Sequence, residues 1–449
     1  MNILRILIFF CLLSFFLPAI IVNAYETTPS ELTQLSIEEL MELEVATVYG
    51  ASKYEQKVTE APSSVSIITS DEIKKYGYRT LADILRSVRG LYVTYDRNYS
   101  YVGVRGFNRP GDYNSRILLL IDGHRINDNI FDSFLIGQDA IIDVDLIDRV
   151  EVIRGPGSSL YGSSAFFAVV NVITKRGADI EGTEVSGEVG SLDTYKGRVS
   201  YGDKSENGFE GIVSGATYDS KGHQRLYYKE YDDPATNNGV AEDADYERYK
   251  NAFAKLSYLG FTLEGAYQSR TKGIPTGSFG TDFNDPDNMT VDDRRYLDLK
   301  YNQNISSQWD ISAQLYYDYY KYVGDYIYSD VVNKDESYGE WCGSEVKLTT
   351  TVLSAHRIVT GIEYKNNFRQ DQINYDEDPY VSYLEDERDS QSWAYYIQDE
   401  ISLSKKLLLN TGIRYDYYET FGSECTTVRL KKLKLGVIHF SHFENCMAI

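Results

Sequence analysis

Cations are the first scarcity. Lys and Arg number 45 against 67 Asp and Glu, a net charge of −22 in 449 residues. Binding nucleic acid takes clustered cations to neutralise phosphates, so that partner is excluded. Cysteine is scarce too. Beyond Cys11 in the leader there are only Cys342, Cys425 and Cys446, an odd, widely spaced set that defines no disulfide framework. Long apolar runs are missing past residue 24. Ile117 to Ile121 is far short of the ~20 residues a membrane helix needs and reads as a buried strand. No nucleophile elbow or HExxH pair is present. His124, His223 and His356 are scattered, and His439-x-x-His442 with Cys446 is too loose for a metal centre. No enzyme activity, cofactor or metal is expected.

Tyrosine is abundant, at 40 residues. The start is a secretory leader by pattern: Arg5, an apolar stretch from Ile6 to Ile21, then Val22-Asn23-Ala24 as a small-residue cleavage site. Residues 25–60 follow as a largely polar segment. Within it Ser36 and Glu39 make a capping box for a helix over Ile37 to Leu43, and Glu44 to Tyr49 is β-prone.

Residues 61–177 alternate short strands with helices. Ser63 to Thr69 has strand period. Ser70 or Asp71 caps a helix that Gly77 stops. Thr80 caps a second helix, with Leu81, Ile84, Leu85 and Val88 on one face and Gly90 at its end. Leu91 to Thr94, Val102 to Phe107, Ile117 to Asp122, Asp143 to Ile147 and Val150 to Ile153 read as strands. A glycine-rich turn, Gly155-Pro156-Gly157 to Gly162, comes next. Ser163 and Ser164 stand where a P-loop needs Gly-Lys-Ser/Thr order, and Leu160 replaces the third glycine of a dinucleotide fold. A tight connection with unusual backbone angles explains the glycines better.

After Gly177 the pattern has period two. Ile311, Ala313, Leu315, Tyr317 and Tyr319 alternate with Asp310, Ser312, Gln314, Tyr316 and Asp318. Leu297, Leu299 and Tyr301 alternate with Asp298 and Lys300, and Leu409 to Tyr417 repeats the theme. One apolar face ending in aromatics suits a transmembrane β-strand. The reading gives eleven strands, near 183–190, 195–203, 208–220, 247–258, 260–271, 292–304, 308–323, 338–350, 354–370, 388–403 and 406–419. Their connections alternate in length. Long acidic loops are expected at 221–246, 273–291, 324–337 and 371–387, opposite short turns, as in membrane barrels rather than a soluble sandwich.

Several stretches resemble the plug domain of TonB-dependent outer-membrane receptors: APSSVSIITSDEIKKYGYRTLADILRSVRGLYV (61–93), VGVRGF (102–107), RILLLIDGHRIND (116–128) and IDRVEVIRGPGSSLYGSSAFFAVVNVITKRG (147–177). Their order and spread make the resemblance specific, and the barrel shares its pattern from there to about Gly422. The fold expected is an α+β plug domain (61–177) followed by a partial transmembrane antiparallel β-barrel (178–422), about 11 of 22 strands.

The resemblance implies active uptake of a scarce ligand across the outer membrane. A ferric siderophore is the first expectation, with cobalamin, haem or an oligosaccharide as alternatives. It implies the energy-transducing protein TonB as partner, gripping a TonB box for which Val45, Ala46, Thr47 and Val48 are the candidates. It implies that Arg105 and Arg154 tie plug to barrel, and that the plug apex, with Tyr92, Tyr95, Arg97 and Tyr99, meets ligand. A plugged barrel used for signalling or adhesion is a further alternative. Residues 423–449 depart from the family: alternation fades and the closing aromatic strand is absent. A frameshift or truncation near Gly422, leaving a non-functional remnant, is the expectation there.

Overall fold

In a computed structural model, the structure describes residues 47–50, 53–54, 56–57, 63–108, 111–155, 157–404, 407–433 and 439–446. The leader, the 37–43 helix, Val45, Ala46 and Pro156 lie outside them. None of the described helices is long and apolar enough to cross a membrane.

The inner unit begins with a short hairpin, β1 (Thr47–Val48) against β2 (Gln56–Lys57). Next come β3 (Ser64–Thr69), α1 (Ser70–Tyr76), α2 (Leu81–Ser87), β4 (Leu91–Tyr95) and β5 (Ser100–Val104). Then follow β6 (Ile117–Ile121), β7 (His124–Arg125), β8 (Ile147–Arg154), α3 (Ser158–Tyr161) and β9 (Ala168–Thr174). Helix α1 starts one residue earlier than expected, because Thr69 and Glu72 form its capping box. Gly77 ends it at φ +67, and Thr80 caps α2. Val88, not Gly90, closes α2. Asp143 to Ile147 is not a strand: Asp143 caps a 3₁₀ turn over Val144–Leu146. The central sheet runs β3-β8-β9-β6-β7, with β6 and β9 parallel. Its apolar residues, with those of α1 and α2, form the core. Gly155 (φ +154) and Gly162 (φ +70) take the angles the turn needs.

The wall is one antiparallel sheet. Its strands are β10 (Gly182–Gly190), β11 (Thr194–Lys204), β12 (Glu210–Ser220), β15 (Glu247–Tyr258), β16 (Phe261–Gly273), β17 (Met289–Ser306) and β18 (Trp309–Tyr328). They continue as β19 (Val331–Thr350), β20 (His356–Asp376), β22 (Ser390–Ser404), β23 (Leu407–Tyr418), β24 (Gly422–Leu433) and β25 (His439–Cys446). Each pairs with the next, while β21 (Val381–Asp386) folds back on β20. The end strands β10 and β25 each have one neighbour, so the described sheet is open. The remaining hairpin, β13 (Arg225–Tyr227) with β14 (Val240–Glu242), lies in the loop after β12.

All eleven expected strands are present, and three expectations change. Residues 324–337 are not a long loop: β18 and β19 run on as 20-residue strands, far longer than the ~10 a membrane crossing needs. Residues 371–387 likewise extend β20 and fold back as β21. And 423–433 and 439–446 are not irregular. They add β24 and β25, because an unpaired edge recruits backbone pairing even where side-chain alternation is lost.

The wall is patterned apolar outside and charged inside. Leu297 is 52% exposed while its neighbour Asp298 is fully buried, and Leu315 is 59% exposed while Asp318 is fully buried. Ile413, Tyr415 and Tyr417 face out, and Asn410, Arg414 and Asp416 face in. A soluble sandwich would have the reverse, since exposed apolar surface of this extent is unfavourable in water.

Candidate functional site

The working surface is the seam between inner unit and wall. The Asp122-Gly123 turn sets one part of it. Both residues have positive φ (+46 and +87), the geometry of a two-residue hairpin joining β6 to β7. The turn pushes Asp122 and His124 against β15 to β18. Asp122 accepts from Lys255 Nζ at 2.9 Å and from Thr174 N at 3.0 Å, while Lys300 Nζ donates to its carbonyl at 2.7 Å. Burial pushes the Asp122 carboxyl up, and Lys255 more than reverses this, so its pKa lies below the usual range. His124 is fully buried, with Nε2 3.1 Å from Asp318 and Nδ1 3.6 Å from Asp298. Its ring stacks on Tyr296.

Along this flank the wall supplies cations and the inner unit supplies carboxylates and carbonyls. Lys196 meets Asp143 at 3.0 Å, Arg270 donates to the Asn98 carbonyl at 2.6 Å, and Arg294 donates to the Ile126 carbonyl at 3.1 Å. Asp139 stands 3.8 Å from Arg270; burial holds its pKa up at about 6 against that guanidinium.

The other flank, facing β19 to β23, is different. Here the 47–57 hairpin lies between the central sheet and the wall. Val48 is buried in a separate cluster with Leu118, Leu120, Ile153 and Val359. Glu151, fully buried, accepts from Tyr49 N at 3.1 Å and Gly50 N at 3.0 Å. Lys53 reaches the wall and bridges Glu345 (2.6 Å) and Glu363 (2.7 Å). Burial pulls its ammonium pKa down, but the two glutamates outweigh this and leave it raised. Arg414 joins Glu363 at 2.7 Å and donates to the Leu160 carbonyl at 3.0 Å, approaching where Gly162 has no side chain. Next to this network is a cavity of about 440 Å³ between inner unit and wall.

Of the residues singled out from sequence, Thr47 and Val48 are paired in β1, and Val48 is inaccessible. Among the described residues, Arg105 and Arg154 make no hydrogen bond or ion pair with the wall. Arg105 donates to the Arg154 carbonyl at 3.5 Å, and Arg154 donates to the Arg89 carbonyl and to Ser64 and Ser66. Arg105 and Arg154 bond within their own unit, and most cations of the seam come from the wall, Lys53 and Arg97 being those the inner unit supplies. At the apex Tyr95 is exposed, while Tyr92 packs over Gly103. Arg97 and Tyr99 turn to the wall instead, Arg97 to Asp245 at 3.8 Å and Tyr99 to Asp292 at 2.9 Å. Tyr113 and Phe131, which the sequence did not single out, are stacked and exposed there. Lys53, His124 and Glu151 were also missed as anchors. Only the DGH turn gave any signal for them.

Comparison with known proteins agrees with this architecture. The TonB-dependent Receptor Plug Domain family matches residues 57–169, and the TonB dependent receptor-like beta-barrel family matches residues 226–432. The chain is 38% identical over 147 residues to the vitamin B12 transporter BtuB of Vibrio vulnificus, covering 32% of this chain and 23% of that one. It is 25% identical over 403 residues to the iron-regulated outer membrane virulence protein of Vibrio cholerae O1, covering 84% and 55%. Its fold superposes on FpvA of Pseudomonas aeruginosa, solved with a heterologous pyoverdine–iron complex, with a TM-score of 0.67, 16% identity and coverage of 86% and 57%. The chain thus spans less than two thirds of the length of each. A plug seated by ion pairs in an apolar-outside wall, together with both family matches, places this chain in the TonB-dependent receptor family.

Proposed function

We propose that the chain is the plug and first part of the barrel of an outer-membrane receptor that takes up a scarce, bulky ligand with energy delivered through TonB. The observation that supports this is the seam: a folded plug held in the wall by many buried ion pairs and hydrogen bonds beside limited apolar contact. Such a plug can be shifted without exposing much apolar surface to water. The leader at 1–24 directs export, and the exposed apolar belt of the wall meets lipid.

Val45 to Val48 are the segment TonB grips, by adding a strand to its own sheet. Thr47 and Val48 already pair with Gln56 and Lys57, so engagement requires their release. A ferric siderophore is the ligand class, bound outside at the apex with Tyr95 exposed to it. A second reading, a corrinoid, is favoured by the identity to vitamin B12 transporters.

Growth of cells dependent on the protein, on a ferric siderophore or on vitamin B12 as the limiting nutrient, tests both. Uptake should require TonB and should fail in Val48→Pro at unchanged protein level in the outer membrane. Uptake independent of TonB would overturn the proposal.

A further inference from the structure

The cavity between plug and wall has an unusual charge arrangement. Its buried carboxylates are nearly all occupied. Asp128 accepts four hydrogen bonds from its own loop, from the amides of Ile130, Phe131 and Ser133 and from the Ser133 hydroxyl. Glu345 and Glu363 hold Lys53, and Asp416 holds Arg414 at 2.9 Å.

Two cations that line the same space are not matched in this way. Lys365 makes no ion pair within 4.0 Å among the described residues, and its ammonium lies over the Trp341 ring, 5.1 Å from the centroid. Arg125 donates only to neutral oxygens: the carbonyls of Tyr161 (2.7 Å) and Ser163 (2.9 Å) and the Ser163 hydroxyl (3.4 Å). Asp132 lines the cavity too; it accepts from the Ser164 hydroxyl at 2.5 Å and acts on both cations through space, with no ion pair within 4.0 Å to either among the described residues. A half-buried ammonium and guanidinium that share this carboxylate only at a distance leave a polar cavity with a place for a further anion, and a bidentate fork beside a point charge suits a planar or tetrahedral oxyanion.

We infer that this cavity is an anion-binding site, in which Lys365 and Arg125 hold a carboxylate or phosphate group of a ligand passing between plug and wall. The inference rests on the uptake reading for its biological use, though not for its chemistry.

Citrate, inorganic phosphate and, as a cationic control, choline are the probes. Each is titrated into the purified full chain in detergent at constant ionic strength, followed by calorimetry and tryptophan fluorescence, since Trp393 borders the cavity and Lys365 lies over Trp341. Saturable binding of citrate, phosphate or both is expected, with none for choline. Lys365→Gln should weaken it at least tenfold, Lys365→Arg should retain most of it, and Arg125→Gln should weaken it independently. Preference between the two oxyanions separates a carboxylate from a phosphate ligand. Absence of saturable anion binding, or affinity unchanged in both neutral variants, overturns the inference. Should Lys365→Gln fail to fold, Arg125→Gln and Lys365→Arg still decide it. Loss of anion binding alongside intact TonB-dependent uptake sinks this inference alone, whereas anion binding without uptake sinks the functional reading alone.

Discussion

The two flanks of the plug are held by different means. Against β11 to β18 it docks directly: Asp122, His124, Asn98 and Asp143 touch wall side chains with no segment between them. Against β19 to β23 the 47–57 hairpin intervenes, pinned by Lys53 on one side and Glu151 on the other, beside an open cavity. The first flank is a continuous polar weld. The second is a single wedge, whose first strand holds Thr47 and Val48 of the candidate TonB box. The two flanks thus differ in construction: many direct contacts share the load on one, and a few buried ions on one hairpin carry it on the other.

The contrast can be broken by substitution. The largest effect is expected from Glu345→Gln with Glu363→Gln, which leaves Lys53 buried without its counter-charges. Leaving a buried ammonium without its counter-charges should cost about 3–5 kcal/mol, read as the thermal midpoint of near-UV dichroism in detergent. A change below about 1 kcal/mol would show that the wedge is not held by Lys53.

Asp139 on the welded flank comes next. Its folded pKa of about 6 lies above the ordinary value, so its ionised form is disfavoured in the folded state. Its contribution is most favourable below the unfolded pKa, and is lost as pH rises through about 6. Asp139→Asn removes this dependence. Relative to wild type it should gain up to about 3 kcal/mol between pH 4 and pH 7, and equal gains at both pH values would refute the assignment.

A smaller loss, about 2 kcal/mol, is expected for His124→Phe, since Asp298 and Asp318 keep Lys300 and Arg294 as partners. If it exceeded the double glutamate variant, the flanks would rank the other way.

Much of this was legible in the sequence, for reasons that particular residues make plain. Leu297 and Leu299 alternating with Asp298 report a wall with opposite faces, and Thr69, Gly77 and Thr80 mark helix ends by local chemistry. The outer halves of β18, β19 and β20 run beyond the ~10 residues a membrane crossing needs, so neither of their faces has to be apolar. Their Tyr- and Asp-rich text therefore read as loop. Strands β24 and β25 were invisible because pairing to a neighbour, not alternation, defines them. In the seam, composition shows that Arg105, Arg154 and Lys53 are charged, but direction decides the role. Only the folded chain turns the arginines inward on their own unit and Lys53 outward to the wall.

The inward-facing charges of the wall have one more consequence. Glu264, Asp298, Asp318 and Arg270 are dry because the plug covers them. If the plug shifts as proposed, water can solvate each of them, so these ions lose partners but regain hydration. Under that proposal the charged part of the seam parts at little cost and can re-form by shedding the same water.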